Sequence, residues 1–204
     1  MTIVYTAPRQ GDAVFGKRCE DQNIECIRVE HARDFAAYTS VDLFIDAGFD
    51  GFFPETETPL LFHSPAKIFS ALKKVPVNSA RFCAWPGFWD RELWEIATEA
   101  GNAFSGTKIL DDMGIQAKLV ADIPGLIAPR ILCTIINEAA FAIHDGVASS
   151  TDIDIAMKLG TNYPYGPAEW ARAIGFAEIE AVLTAMGCED AKYLPHPKLF
   201  ESFE

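Results

Sequence analysis

Cys83, near the end of the run ARFCAW, and His63, which ends PLLFH, are the residue types that bear most directly on nucleophilic chemistry. A thiol beside an imidazole can be held as a reactive thiolate. A thiol alone is equally well a small buried hydrophobe. The five cysteines, Cys19, Cys26, Cys83, Cys133 and Cys188, are odd in number and show no CxxC spacing. They predict free thiols in a reducing compartment, with neither a disulfide framework nor a zinc site. His31, His144 and His196 show no metal-ligand spacing with one another. The aromatic group Trp85, Phe88, Trp89 and Trp94 is expected in a core.

The elements that must position these residues change character along the chain. TIVYT (2–6) and IECIRV (24–29) are short apolar, β-branched runs separated by a stretch, Gly11 to Asn23, that can form a helix. DLFID (42–46), PLLF (59–62), a helix over Ala66–Lys74, ARFCAW (80–85), a run at Leu93–Ile96, a helix over Asn102–Met113 and a last run at Ile115–Val120 continue the pattern. Strands alternating with helices predict a parallel α/β sheet. From Pro124 onward the spacing turns helical: Ile127, Ile131 and Ile135 recur with Leu132, Ile136, Ala139 and Ile143. Further helices are expected over Asp152–Leu159, capped by Ser150-Thr151, over Ala168–Ile174 and over Ala177–Met186. The expected domains are 1–121, α/β, and 122–204, all helix.

The composition of the 204 residues, 50% hydrophobic and 23% charged, is that of a globular chain. With 17 basic against 29 acidic residues, the net charge of −12 argues against sequence-independent nucleic-acid binding and against docking on anionic lipid. No basic start followed by an apolar run and a cleavage site is seen, which with the free thiols leads to a cytoplasmic expectation. Pro129, Arg130, Asn137 and Glu138 interrupt the most apolar segment, Leu126–Ile143, so it reads as a buried helix and not a bilayer span.

Residues 122–175 carry Asp122-x-Pro124-Gly125, Arg130, Asn137-Glu138-Ala139, Gly146-Val147-Ala148-Ser149, Asp152-Ile153-Asp154, Ala156-Met157-Lys158-Leu159-Gly160, Tyr163-Pro164 and Gly166-Pro167. In this dense, ordered set the chain resembles the C-terminal domain of 3-hydroxyacyl-CoA dehydrogenases. The resemblance implies a shortened Rossmann-like domain followed by a helical domain, NAD as cofactor, an acyl-CoA-type ligand between the domains, and a homodimer formed through the helical one. It also implies that the strands ending in His63 and Cys83 are neighbours, which would bring the thiol and the imidazole to the carboxyl edge of the sheet.

The first half departs from the family at the positions that carry chemistry. A dinucleotide site needs a glycine-rich turn after the first strand so that the backbone can reach the pyrophosphate, and an acid at the end of the second strand for the ribose. Glu30 stands where that acid belongs, but Ala7, Arg9 and Asp12 occupy the three glycine positions, and Asp12 sets a carboxylate at a helix N-terminus. Gly11 is the neighbouring glycine. Cys83 stands at the family's general-base histidine, Pro86 at an asparagine just after it, Glu95 retains the acid that orients the base, and Pro129 replaces the asparagine before Arg130. Imidazole accepts a hydroxyl proton near neutral pH, and a thiol of pKa about 8.5 does so badly. The residues predict a 3-hydroxyacyl-CoA dehydrogenase-like protein impaired in NAD-dependent oxidation of 3-hydroxyacyl-CoA. The alternative is a non-catalytic binding or dimerising assembly module.

Overall fold

The β-branched and aromatic side chains of the first apolar runs pack well on a pleated surface. In the computed structural model, which describes residues 1–7, 12–199 and 201–203, they open a seven-stranded sheet. Its strands are β1 (Thr2–Thr6), β2 (Glu25–Val29), β3 (Leu43–Asp46), β4 (Leu60–His63), β5 (Ser79–Phe82), β6 (Leu93–Thr98) and β7 (Gln116–Leu119). They lie in the order β2-β1-β3-β4-β5-β6-β7. The sheet is parallel, as expected, except that β6 runs antiparallel to β5. Only residues 83–92 join those two strands, and a parallel crossover needs roughly a dozen residues or more. The chain divides into two compact units, Met1–Leu126 and Ile127–Glu204.

In the first unit both faces of the sheet are apolar, the pattern of strands covered on both sides. Ile3, Tyr5, Leu43, Ile45, Phe82 and Trp94 face one core, closed by Phe15 and Cys19 of α1 (Asp12–Asp21) and by Leu110 of α2 (Thr107–Asp112). Val4, Phe44 and Leu60 face the other. Among the described residues no long helix covers that second face. Phe35, from a single 3-10 stretch (Ala32–Ala37), and the loop residues Phe52 and Phe53 cover it instead.

Two expectations are corrected here. The helix over Ala66–Lys74 is replaced by a 3-10 turn at Phe69–Ala71. Pro65 and Pro76 flank it, the Ser64 hydroxyl donates to the Lys67 carbonyl, and the Phe69 N–H is taken by the Asp122 carboxylate at 3.0 Å, so the backbone bonds outward. The cysteines are not all free: Cys19 of α1 and Cys26 of β2 form a disulfide, with Cα atoms 6.1 Å apart. The tight return after α1, through Asn23 in the left-handed region (φ 54°), sets helix and strand side by side. Cys83, Cys133 and Cys188 are not in a disulfide.

The second unit is helical: α3 (Ala128–His144), α4 (Ser150–Thr161), α5 (Pro167–Ile174) and α6 (Phe176–Gly187). Pro129 lies in the first turn of α3, where its missing N–H is not needed, and the first bond runs from the Ile131 N–H to the Ile127 carbonyl at 3.1 Å. The cap of α4 is Ser149 and not Ser150-Thr151, its hydroxyl accepting the Asp152 N–H. Helix α4 also continues through Gly160 to Thr161, and Asn162 ends it in the left-handed region. Several residues of the family pattern have structural tasks. Buried Asn137 clasps the chain after α6, donating to the Leu194 carbonyl at 2.9 Å and accepting the His196 N–H at 2.7 Å. Buried Asp154 accepts the Ala168 N–H at 2.8 Å, and a Cβ at Gly166 would overlap its carboxylate.

Candidate functional site

The antiparallel pairing of β5 and β6 matches Ala80 with Thr98 and Arg81 with Ala97. The same register, continued, sets Cys83 opposite Glu95. Both residues line a small pocket of about 160 Å³, with Phe88, Arg91, Leu93 and Trp94. The chain therefore brings these two predicted site residues together, and the spacing between them is the signature of a return through an antiparallel strand. Cys83 is buried, and Glu95 is half-buried. Trp89 and Trp94 belong to the core, with ring centroids 5.1 Å apart, and among the described residues their buried indole N–H groups have no hydrogen-bond partner.

His63 ends β4 and pairs with Phe82 of β5, so the strands carrying His63 and Cys83 are neighbours. The imidazole is committed elsewhere. Its Nδ1 accepts the Ala84 N–H at 2.9 Å. In a neutral imidazole that bond puts the proton on Nε2, leaving no basic nitrogen for a thiol while it holds. Cys133, inside α3, is equally unsuited to act as a nucleophile: burial, and then the Glu178 carboxylate, pushes its thiol up. Among the described residues no cluster of three or more His, Cys, Asp or Glu could hold a metal ion.

The strand order reverses direction at β1, with β2 on one side and β3 on the other, and ligands of open α/β sheets bind in the crevice at such a point. Glu30 lies just beyond the end of β2 and is exposed. Arg9 and Gly11 lie outside the described residues, as does the side chain of Asp12. The carboxyl ends of β1 and β3 hold a group that sequence reasoning missed. The Thr6 hydroxyl donates to Asp46 Oδ1 at 2.7 Å and accepts the Gly48 N–H at 3.0 Å. Asp46 is only 3% exposed, and burial raises its pKa to about 6, with Asp50 adding to the rise and the Thr6 hydrogen bond opposing it. At neutral pH it is mostly ionised. The residue types at Ala7, Arg9 and Asp12 lack the glycines with which a dinucleotide site approaches the pyrophosphate.

A second missed group is structural. Arg81 of β5 is fully buried, its Nε donating to the Asp122 carboxylate and its terminal nitrogens to the carbonyls of Ser64 (3.0 Å) and Ile123 (2.6 Å). The Gly125 N–H reaches the Pro65 carbonyl at 2.7 Å. Asp122 and Gly125 thus tie the end of the first unit to the loop after β4.

Residues 125–203 match the family model described as the 3-hydroxyacyl-CoA dehydrogenase C-terminal domain. The 3-hydroxyadipyl-CoA dehydrogenase of Escherichia coli is 44% identical over 92 residues, 43% of this chain and 19% of that protein. A probable 3-hydroxybutyryl-CoA dehydrogenase of Bacillus subtilis is 37% identical over 106 residues, 51% of this chain and 37% of that protein. The matched stretch is therefore well under half of either curated relative. Among solved structures, (S)-3-hydroxybutyryl-CoA dehydrogenase from Ralstonia eutropha superposes with a TM-score of 0.70, covering 98% of this chain and 92% of that one at 19% identity, which shows a shared fold. Residues 125–203 are thus similar to a 3-hydroxyacyl-CoA dehydrogenase C-terminal domain, and the chain shares the Rossmann-like fold of the solved dehydrogenase.

Proposed function

We propose that this chain is a 3-hydroxyacyl-CoA dehydrogenase-like protein impaired in NAD-dependent oxidation of 3-hydroxyacyl-CoA. The observation that carries the reading is the Cys83–Glu95 pocket. It is lined by Glu95, the acid that the resemblance implies, and by the buried thiol of Cys83 where the resemblance implies a histidine. Such an oxidation needs a base for the substrate hydroxyl proton while hydride leaves the adjacent carbon for the nicotinamide, the one chemistry NAD supplies when bound. His63 is engaged by the Ala84 N–H and does not replace the missing base. The altered glycine positions weaken the dinucleotide site. NAD is the cofactor that the family resemblance implies, and the expected affinity here is low. Glu30 is the residue left to hold a ribose.

A dimerising assembly module is the second reading, favoured by exposed apolar residues on the helical unit. Ile127, Ile131 and Phe141 recur along one side of α3, and Ile155 and Leu159 along α4. Both readings include a homodimer formed through residues 122–204 and an acyl-CoA-type small molecule as ligand. No described helix is long and apolar enough to cross a membrane. Following nicotinamide absorbance after adding NADH and acetoacetyl-CoA tests the proposal. Silence combined with acyl-CoA binding supports an impaired enzyme, and turnover at rates usual for dehydrogenases refutes it.

A further inference from the structure

The segment between β3 and β4, residues 47–59, and the segment between β4 and β5, residues 64–78, run without α-helix. They enclose a groove of about 760 Å³, lined by Phe52 and Phe53 on one side and by Lys73, Lys74, Pro76 and Val77 on the other. That size lies within the range of small-molecule sites. The Lys73–Val77 wall leads into the amino end of β5, and the Phe52–Phe53 wall lies in the segment that leaves the carboxyl end of β3.

Three features of this groove point to an occupant. The wall made by Phe52 and Phe53 is apolar and half-buried, and Arg33 sits over the Phe52 ring at 4.9 Å while paired with Asp50. Val77, on the opposite rim, is 74% exposed, an apolar side chain left uncovered. Lys73 and Lys74 are exposed, and among the described residues neither ammonium has an ion-pair or hydrogen-bond partner, in a chain of net charge −12. Lys74 also adopts φ 59°, a left-handed conformation that glycine takes without strain and lysine does not. Strained backbone of this kind clusters at ligand clamps. Glu55, also on the lining, is the one acid there and selects against a purely electrostatic contact.

We propose that this groove is a second ligand site, for a small organic anion whose apolar or aromatic body lies against Phe52 and Phe53 and whose carboxylate or phosphate is met by Lys73 and Lys74. None of Thr6, Glu30, Asp46, Cys83 and Glu95 lines the groove, so its ligand binding is separable from the dehydrogenase reading.

Isothermal titration of the full chain with octanoate, AMP and inorganic phosphate tests the proposal. Octanoate binding identifies a carboxylate on an apolar chain, and AMP binding a phosphate on an aromatic ring. Either supports the site when inorganic phosphate binds at least tenfold more weakly. The double variant Lys73→Ser with Lys74→Gly should lose at least tenfold in affinity for the bound probe. Its melting temperature should be unchanged or raised, since glycine relieves the left-handed residue. No binding of octanoate or AMP by the parent chain overturns the proposal. So does unchanged binding by the double variant, or inorganic phosphate binding as tightly as either organic anion.

Discussion

Cys83 stands across from Glu95 at the end of the β5–β6 pair, in the register fixed by Ala80 with Thr98 and Arg81 with Ala97. Both side chains line one pocket, so the acid shares it with a thiol and not with an imidazole.

Asp46 gives the first unit a distinctive pH dependence. Its folded-state pKa is raised from the ordinary 3.8 to about 6, so between those values the folded chain binds more protons than the unfolded one. The stability this group contributes is therefore fully present at low pH and is lost as pH rises through 6, by about 3 kcal/mol in all and about 2 kcal/mol between pH 4.5 and 7. Urea titrations at pH 4.5 and 7 on the parent and on Asp46→Asn should show this contribution in the parent and not in the variant. An identical pH dependence in both would contradict the burial argument.

Removing Asp122 should be costly, because it leaves the fully buried Arg81 guanidinium without its carboxylate. Breaking one side of such a pair costs about 3 kcal/mol. Asp122→Ala should lower the urea midpoint accordingly. Glu20→Ala, at an exposed acid of α1, should change it little.

Thiol titration of the denatured, unreduced chain should find three thiols, from Cys83, Cys133 and Cys188. Five would mean that the Cys19–Cys26 bond does not form.

How much of this was legible in the sequence depended on how local the signal was. The strands TIVYT and LFID and the helical spacing from Ile127 to Ile143 are local patterns, and they form β1, β3 and α3. The helix over Ala66–Lys74 failed because Asp122, far along the chain, takes the Phe69 N–H. Arg81 was illegible for the same reason: arginine in a short run reads as a solvent-facing residue, and its partners come from Ser64, Asp122 and Ile123. The disulfide escaped because an odd cysteine count and the absence of CxxC say nothing of a helix returning beside its next strand. Asp46 looked like the end of an apolar run, and only the neighbouring strand end, with Thr6, shows its burial.

The exposed apolar side of α3 predicts a homodimer. Sedimentation at micromolar concentration should give twice the 22.4 kDa chain mass. Ile131→Glu, at a position 55% exposed in the chain, should shift the species to monomer without unfolding it. A parent that sediments as a monomer would contradict the dimer.

The most direct measurement of the central claim is acetoacetyl-CoA reduction by NADH, followed by absorbance, for the parent and for the double variant Cys83→His with Pro129→Asn. The variant restores an imidazole opposite Glu95 and the amide at the start of α3, but leaves the altered glycine positions in place. Both proteins should be inactive. Measurable reduction by the double variant would contradict the claim that the dinucleotide site, as well as the base, has been lost, and turnover by the parent would contradict both parts.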